Sequence, residues 1–376
     1  MLKLLHTADW QIGKLFGQFT PDVAALLAEA RFETIERLAQ LATQRGVDLV
    51  LVAGDVFDLQ GVADRTLYRL FKAMTGFAGP WVVIPGNHDA ALAESVWTRA
   101  LRLKAIPDNV MPCLQPQPVL LESPGVAVLP APLTQRHTYT DLTEWFAGAE
   151  TPPGMLRIGL AHGCVQGLLA ADIDAANPIA AGRAAQARLD YLALGDWHGA
   201  RRIDERSWYA GTPETDRFRN NDSGHALLVE LAAPGGVPQV EAVATGRYHW
   251  HSLEPVLQVP SDLTELVQRL AAFAANDVVN LSVSGRIDLE GHRRLHSAIE
   301  QARGTARGVL VDLTGLQLDP SVQDIESLQA DGYLGLTIQE LRAAQDGPNA
   351  ALARDALVLL TGLLSDRRAA AARTRP

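Results

Sequence analysis

The sequence predicts an α/β fold in which helices flank β-sheet, followed by a smaller α+β domain and a C-terminal helix. Three observations lead to this prediction: short apolar runs typical of buried strands, a long amphipathic segment between the first two runs, and a change of pattern near residue 250. Continuous apolar runs favour strands covered on both faces, and a helix between consecutive strands favours a parallel crossover.

Five short apolar segments bounded by polar residues or glycine are predicted strands: residues 3–7, 47–53, 81–84, 156–161 and 189–194. Between the first two, residues 21–45 place apolar side chains at helical spacing with Arg and Glu between them. This segment is predicted to be a helix that crosses over between strands. Residues 226–231 and 240–243, separated by a Pro-Gly-Gly turn, predict two further strands that complete this layer.

Acidic, amide and histidine side chains follow each of the five strands. Because ligands bind at the carboxyl ends of strands in sheets with helical crossovers, these side chains are expected to converge. Hard oxygen atoms and imidazoles are what a site for two divalent metal ions needs. The sequence therefore predicts a metal-dependent hydrolase acting on phosphate esters, with candidate residues Asp9, Gln11, Asp55, Asn87, His88, Asp89, His162, Asp196 and His198.

These motifs resemble, in order, those of the calcineurin-like metallophosphoesterases: Asp9-x-Gln11, Gly54-Asp55, Gly86-Asn87-His88-Asp89, the isolated His162 and Gly195-Asp196-x-His198. Within that superfamily, the segments around Asp9 and from Gly54 to Asp58 resemble the DNA repair exonuclease (SbcD-like) branch. The resemblance implies a metallophosphoesterase β-sandwich flanked by helices, with a capping domain beside the catalytic cleft.

The resemblance also implies roles for the metal-binding residues. Asp9 and His198 would bind the first ion, Asn87 and His162 the second, and Asp55 would bridge both. A shared carboxylate can hold two cations at the roughly 3.5 to 4 Å separation of such sites.

His88 is implied to contact the substrate phosphate and to assist the leaving group, while a metal-activated water attacks the phosphorus. The resemblance also implies that Asp58 and Asp89 are carboxylates that orient His88. The loop of residues 211–217, with Glu214 and Asp216, is expected to face the substrate without taking part in catalysis.

Two candidate ligands depart from the family pattern, which usually has histidine at the position of Gln11 and often at that of Asp196. Glutamine offers a carbonyl oxygen and aspartate is a hard ligand, so an oxygen-rich site remains feasible. The expected cofactors are two divalent metal ions, with Mn²⁺ favoured, Mg²⁺ as the alternative and Zn²⁺ disfavoured. Whether Gln11 binds directly or through water is left open.

The predicted domains are a catalytic domain at residues 1–249, an α+β capping domain at 250–340 and a C-terminal helical segment at 341–376. In the cap, helices are predicted at 263–275 and 291–303 and strands at 278–285 and 309–313. Residues 349–368 predict a helix with leucines along one face. The resemblance offers an SMC-like coiled-coil ATPase as its partner, and packing on its own cap is an equal alternative.

Composition limits the partners. The net charge of -10 argues against global attraction to nucleic acid, so DNA affinity is expected to come from the metals or from a partner. Small basic groups, among them Arg217 with Arg219, are expected to be solvated. Two cysteines in no recognised spacing, no cleavable leader and no membrane-length apolar stretch favour a cytoplasmic location without membrane contact. A homodimer is left open.

The resulting hypothesis is a two-metal phosphodiesterase that acts on DNA as an exonuclease or endonuclease. The first alternative is a phosphodiesterase for a small nucleotide or another phosphodiester. The second is a degenerate, non-catalytic scaffold subunit that has lost its metal through the changes at Gln11 and Asp196.

Overall fold

A computed structural model describes residues 1–167, 176–320 and 332–373. The chain forms two compact units, Met1–Tyr248 and His249–Pro376. The α/β class is confirmed, because helices and sheets alternate through both units. The segments predicted as a cap and as a C-terminal helical region both belong to the second unit.

The first unit is built on two six-stranded sheets. Its strands are β1 (Leu2–Thr7), β2 (Leu49–Ala53), β3 (Trp81–Ile84), β4 (Val110–Pro112), β5 (Val119–Leu121), β6 (Val126–Ala131), β7 (Leu156–His162), β8 (Cys164–Val165), β9 (Pro178–Ile179), β10 (Tyr191–Gly195), β11 (Arg201–Arg202), β12 (Ser207–Tyr209), β13 (His225–Leu231) and β14 (Gln239–Ala244). Its helices are α1 (Pro21–Arg45), α2 (Asp64–Met74), α3 (Val96–Arg102) and α4 (Arg183–Gln186), with a 3-10 turn at Glu144–Gly148.

The first sheet has the strand order β14-β13-β1-β2-β3-β4, and the second has β11-β12-β10-β7-β6-β5. Strands β1, β2 and β3 are parallel neighbours in the first sheet, and β7 and β10 are parallel neighbours in the second. These five strands are the ones predicted from the apolar runs. Their shared direction brings the loops after them to common edges.

Helix α1 matches the predicted segment 21–45 and makes the crossover between β1 and β2. Pro21 stands in its first turn, where the missing N–H of proline costs no hydrogen bond. Gly46 ends the helix in a left-handed conformation with φ of 60°. Leu27, Ile35 and Leu38 lie on the buried face, so the helix covers one side of the first sheet.

Alternating side chains of the strands divide between two cores. Leu5 and Val50 belong to a core shared with the helices α1 to α3. Leu4 and Leu51 point the other way and pack in a core shared with Ile158 and other residues of the second sheet. Because both faces of these strands are covered, continuous apolar runs are favoured. The arrangement is a β-sandwich flanked by helices, as expected.

The second unit contains strands β15 (His249–Leu253), β16 (Val256–Leu257), β17 (Asp277–Ile287) and β18 (Gly308–Leu318). It also contains helices α5 (Pro260–Ala271), α6 (Leu289–Thr305), α7 (Tyr333–Ala344) and α8 (Ala350–Arg373). Strand β17 pairs in parallel with the other three strands. The helices and strands predicted for this region are confirmed, with limits that differ by a few residues.

Helix α8 presents two different surfaces. Ala353 and Leu357 are buried, and Leu360 packs against the core of the second unit. By contrast, Leu359 and Leu363 are 66% and 67% exposed. Packing on its own unit therefore uses one side of the helix and leaves leucines uncovered on the other. Among the described residues, no helix has the length and hydropathy needed to cross a membrane.

Candidate active site

The predicted ligands lie on the loops that follow β1, β2, β3 and β10 and at the last residue of β7. Several of these residues adopt positive φ, which is uncommon for residues other than glycine and is concentrated at functional sites. The values are 54° for Asp9, 48° for Gln11, 52° for Asp55, 104° for Asp196 and 61° for His198.

Main-chain hydrogen bonds hold the first two loops together. The N–H of Asp9 donates to the carbonyl of Gly54 at 3.0 Å, and the N–H of Gln11 donates to the carbonyl of Asp55 at 2.9 Å. The Asp9 carboxylate also accepts the N–H of Asp196 at 3.0 Å. Three strand-end loops are thus fixed to one another through Asp9 and its neighbours.

Two glycines permit this close approach. A Cβ atom on Gly86 would lie 2.2 Å from Asp55 Oδ1, and one on Gly195 would lie 1.9 Å from the carbonyl oxygen of Ala53. Contacts this short are sterically forbidden, so a side chain at either position would force the loops apart.

Asp55 occupies the centre of the site, and its two oxygens face different partners. Oδ1 accepts the N–H of His88 at 2.9 Å and lies 3.5 Å from His162 Nε2. Oδ2 accepts the side-chain N–H of Gln11 at 2.8 Å and lies 3.9 Å from His88 Nε2. The two oxygens of Asp55 thus lie near different candidate ligands, and the bridging role stays a prediction.

His162 is oriented by the first sheet. Its Nδ1 lies 2.8 Å from the carbonyl oxygen of Ala53, which can only accept, so Nδ1 carries a proton. Its Nε2 lies 2.9 Å from Asn87 Oδ1 and 3.6 Å from Asp196 Oδ1. A main-chain acceptor on one ring nitrogen is the usual way in which proteins aim the other at a metal.

The site concentrates negative charge. Ligand atoms of Asp9, Asp55 and His162 lie within 4.8 Å of one another, and all three residues are buried. Burial, reinforced by Asp55 and Asp196, raises the pKa of Asp9. Burial alone would lower the pKa of His162, but the surrounding carboxylates, Asp55 first, outweigh it and raise this pKa to about 9. Bound cations would offset this repulsion.

The side-chain amide of Gln11 indicates whether the candidate ligands can bind a metal ion. Its Oε1 atom is buried and has no hydrogen-bond partner among the described residues. A buried acceptor without a partner is costly, and a cation would satisfy it. With carboxylate, amide and imidazole donors facing one another, the residues present fit divalent metal ions.

His88 lies at the edge of this cluster and is partly exposed. Its Nδ1 is 2.7 Å from the main-chain carbonyl oxygen of Asp58, so the contact from Asp58 uses the carbonyl and not the carboxylate expected from the sequence. The carbonyl leaves Nε2 of His88 unprotonated when the ring is neutral.

Asp89 acts on the main chain of neighbouring loops. Its carboxylate accepts the N–H groups of Val56 at 3.0 Å, Phe57 at 3.2 Å and Gly86 at 2.6 Å. Burial, followed by the nearby Asp55, raises the pKa of Asp89 to about 7. Asp89 would therefore influence the position of His88 indirectly, by fixing the conformation of the loops.

Arg31 of α1 is a buried residue that the sequence did not single out. It is 2% exposed and donates hydrogen bonds to the carbonyl oxygens of Asp9, Trp10 and Glu214 and to the hydroxyl of Thr212. In the sequence, Arg31 is one of the Arg and Glu residues that lie between the apolar positions of α1. Only the tertiary structure shows that this arginine joins the Asp9 loop to the segment from Thr212 to Glu214.

In the loop of residues 211–217, the two acidic side chains are buried and do not face solvent. Glu214 is buried and accepts bonds from the Thr34 hydroxyl at 2.7 Å and the Tyr248 N–H at 3.0 Å. Asp216 is also buried, and its Oδ2 lies 2.8 Å from Lys14 Nζ and 3.4 Å from His198 Nδ1. Glu214 thus stabilises the fold, whereas Asp216 borders the candidate metal ligands.

A sandwich whose strand ends collect buried carboxylates and imidazoles has the architecture and chemistry of a metal-dependent phosphoesterase. The family model described as calcineurin-like phosphoesterase matches residues 2–229. The chain therefore belongs to the calcineurin-like phosphoesterase family, as the motifs predicted, and membership of this family supports the expected class of metal-dependent phosphoesterase.

The chain is also similar to individual proteins, of which three are described. The SbcD subunit of the nuclease SbcCD from Escherichia coli K12 is 36% identical over 100 residues, which are 25% of this chain and 23% of that protein. The DNA double-strand break repair protein Mre11 of Methanosarcina acetivorans is 21% identical over 301 residues, covering 76% of this chain and 46% of that protein. TT1561 of Thermus thermophilus, a solved structure, has a TM-score of 0.42 and 13% identity, covering 65% of this chain and 99% of that one. The chain spans less than half the length of each of these two curated relatives.

Proposed function

We propose that the chain is a two-metal phosphodiesterase that cleaves DNA. Asp9, Gln11, Asp55 and His198 would hold one divalent ion, and Asp55, Asn87, His162 and Asp196 the other. The observation that carries this proposal is the convergence of the buried Asp9, Asp55 and His162, whose ligand atoms lie within 4.8 Å of one another. When bound, the two ions would supply a nucleophile from water at neutral pH and neutralise charge on the phosphoryl oxygens.

His88 would supply a proton near the leaving oxygen. The Asp58 carbonyl fixes Nδ1, so Nε2 is the nitrogen that can receive or deliver a proton. Imidazole suits this task because its ordinary pKa lies near neutrality. Asp58 and Asp89 would position this ring, through the carbonyl and through the loops that Asp89 fixes.

Mn²⁺ is the proposed physiological ion, with Mg²⁺ as the alternative. Carboxylate and amide oxygens outnumber imidazoles in the two ligand sets, and such donors suit these hard cations better than they suit Zn²⁺. The amide of Gln11 belongs to this oxygen-rich ligand set. Its Nε2 donates to Asp55, so its Oε1, which has no hydrogen-bond partner among the described residues, is the atom that can bind an ion.

DNA is the proposed substrate because two of the similar proteins are a nuclease subunit and a DNA double-strand break repair protein. The proposed location is the cytoplasm. An SMC-like coiled-coil ATPase is the proposed partner, and the leucines of α8 that are left uncovered offer an apolar surface for it. A homodimer would present the same surface twice.

The decisive experiment is hydrolysis of linear double-stranded and single-stranded DNA by the purified chain with Mn²⁺, Mg²⁺ or a chelator. The variant His88→Ala is compared with His249→Ala, a matched control because the His249 side chain is 69% exposed and lies in the second unit. DNA cleavage that needs metal and is lost only in His88→Ala would support the proposal. Cleavage of bis(p-nitrophenyl) phosphate without cleavage of DNA would favour a small phosphodiester as substrate.

One observation favours the scaffold alternative. The N–H of Gln11 occupies Asp55 Oδ2 at 2.8 Å, an oxygen that a bridging carboxylate would give to a metal. Elemental analysis of the purified chain after dialysis against Mn²⁺ separates the two functions. About two ions per chain would exclude the scaffold, since both ligand sets would be filled, whereas less than one would favour it.

A further inference from the structure

Two cations converge on the buried carboxylate of Asp216. Lys14 Nζ lies 2.8 Å from its Oδ2, and Arg217 donates from Nε to Oδ1 at 3.1 Å and from Nη2 to Oδ2 at 3.2 Å. The Asp216 side chain is inaccessible to solvent, whereas those of Lys14 and Arg217 are 23% and 37% exposed. The buried carboxylate therefore holds both cationic groups, which remain partly exposed to solvent.

This cluster carries more positive than negative charge. Asp216 supplies one negative charge against the two positive charges of Lys14 and Arg217. Nearby, Arg31 faces the carboxylates of Glu214 and Asp58 as well as that of Asp216, and Glu214 also pairs with Arg37 at 3.2 Å, so two further cations stand against two further carboxylates. A single permanent counter-ion would have been enough for Asp216, so the second cation can attract an external anion.

Hydrogen-bonding capacity leads to the same conclusion. A guanidinium has five N–H donors and an ammonium has three, all in need of acceptors. Lys14 uses one on Asp216, and the hydrogen bonds of Arg217 come from Nε and Nη2 alone, so its Nη1 group is uncommitted among the described residues. Arg217 Nη2 also lies 2.9 Å from Nδ1 and 3.1 Å from Nε2 of His198, a candidate ligand. The guanidinium that carries the uncommitted Nη1 group is thus beside the position proposed for the first metal.

We propose that Lys14 and Arg217 form a phosphate-binding pair that holds the substrate's phosphoryl group beside that metal position. The proposal rests on the phosphodiesterase function above and adds two residues to it. Arginine binds phosphate oxygens through its planar fork, and lysine adds a point charge. Asp216 keeps the pair in place before substrate arrives, which lowers the entropy lost on binding.

The test measures binding of thymidine 5′-monophosphate to the Mn²⁺-loaded chain by isothermal titration calorimetry. Arg217→Met and Lys14→Met are compared with Arg219→Met and Lys72→Met, which remove the same charges at exposed positions. Each pair variant is expected to weaken binding about tenfold or more, because a charge-assisted bond is lost. Arg217→Lys is expected to restore part of the affinity, and the controls should remain within about twofold, as expected for solvated charges.

Two results would overturn the proposal. One is wild-type affinity in both pair variants. The other is loss of nucleotide affinity together with loss of bound Mn²⁺ by elemental analysis, because the pair would then support the metal site and not the phosphate. Binding is measured without turnover, so an inactive wild-type chain that still binds the nucleotide through this pair would contradict the proposed function and leave the pair supported.

Discussion

Replacement of Arg31 by Met should destabilise the first unit strongly. Arg31 donates to four acceptors: the carbonyl oxygens of Trp10 at 2.6 Å, Asp9 at 3.1 Å and Glu214 at 3.1 Å, and the hydroxyl of Thr212 at 3.0 Å. Methionine has a similar length but no donor, so the carbonyl oxygens of Asp9 and Trp10 would lose this partner, whereas Glu214 and Thr212 would keep the hydrogen bond between them. Each buried group left unsatisfied costs about 1 to 3 kcal/mol.

The full sum is not expected, because removal of a buried cation also recovers its desolvation cost and the loops can relax. A loss of about 4 kcal/mol in the free energy of unfolding is the expected value, near that for breaking a buried charged network. Arg31→Lys keeps the charge with a different donor geometry and should lose roughly half as much.

The assay is urea denaturation followed by tryptophan fluorescence. Six of the seven tryptophans lie in the first unit, so the signal reports mainly on that unit. Arg65→Met, at an exposed position of α2, is the matched control and should change stability by less than about 0.5 kcal/mol. A loss below about 1 kcal/mol for Arg31→Met, with an unchanged dependence on urea, would refute the reasoning, because the acceptors would then have found other partners.

Three further predictions concern the metal site and acid stability. Gly86→Ala should weaken Mn²⁺ binding by at least tenfold in calorimetry, because the added Cβ would lie 2.2 Å from Asp55 Oδ1. Unchanged affinity would show that the loops can move to accommodate the methyl group. Mn²⁺ at a hundred times its Kd should stabilise the chain by about 2.7 kcal/mol and raise its Tm in calorimetry, and Asp9→Asn should reduce the rise; an equal rise would place the metal elsewhere. For Asp141, burial raises the pKa, but bonds from Thr143, Arg183 and the Ala180 N–H outweigh it and lower the pKa. Its contribution to stability is therefore complete above the unfolded pKa of about 3.9 and is lost as pH falls through the lower folded value. In urea titrations Asp141→Asn should thus lower the free energy of unfolding by about 2 kcal/mol at pH 7 and by progressively less below pH about 4. A stability difference between the variant and the wild type that stays constant with pH would contradict this assignment.

The sequence predicted the elements whose local pattern agrees with their tertiary environment. Helix α1 and strands β1, β2, β3, β7 and β10 were found because their apolar patterns match the faces they bury. Strand β6 was missed. It contains Pro130, which usually argues against a strand, but β5 pairs only with Val126 to Val128 and leaves Pro130 beyond that pairing.

The predicted ligands were identified by their order along the chain, but their contacts were not predictable. The distance between Gln11 and Asp55, and the choice of the Asp58 carbonyl over its carboxylate, depend on loop conformations with positive φ. Lys14 and Arg217 meet across some two hundred residues of sequence, and no local pattern marks either as more than a surface cation. Arg31 was missed for the same reason, since periodicity does not reveal which polar side chain of a helix is buried.

The positive φ angles of Asp9 and Asp55 determine how inactive versions of this protein should be made. Asparagine and aspartate tolerate the left-handed region better than other side chains, whereas alanine pays roughly 1 kcal/mol there. Alanine would therefore combine loss of a ligand with backbone strain at φ of 54° and 52°. Asparagine at either position removes the charge and keeps the loop, so it is the cleaner choice for trapping a bound substrate.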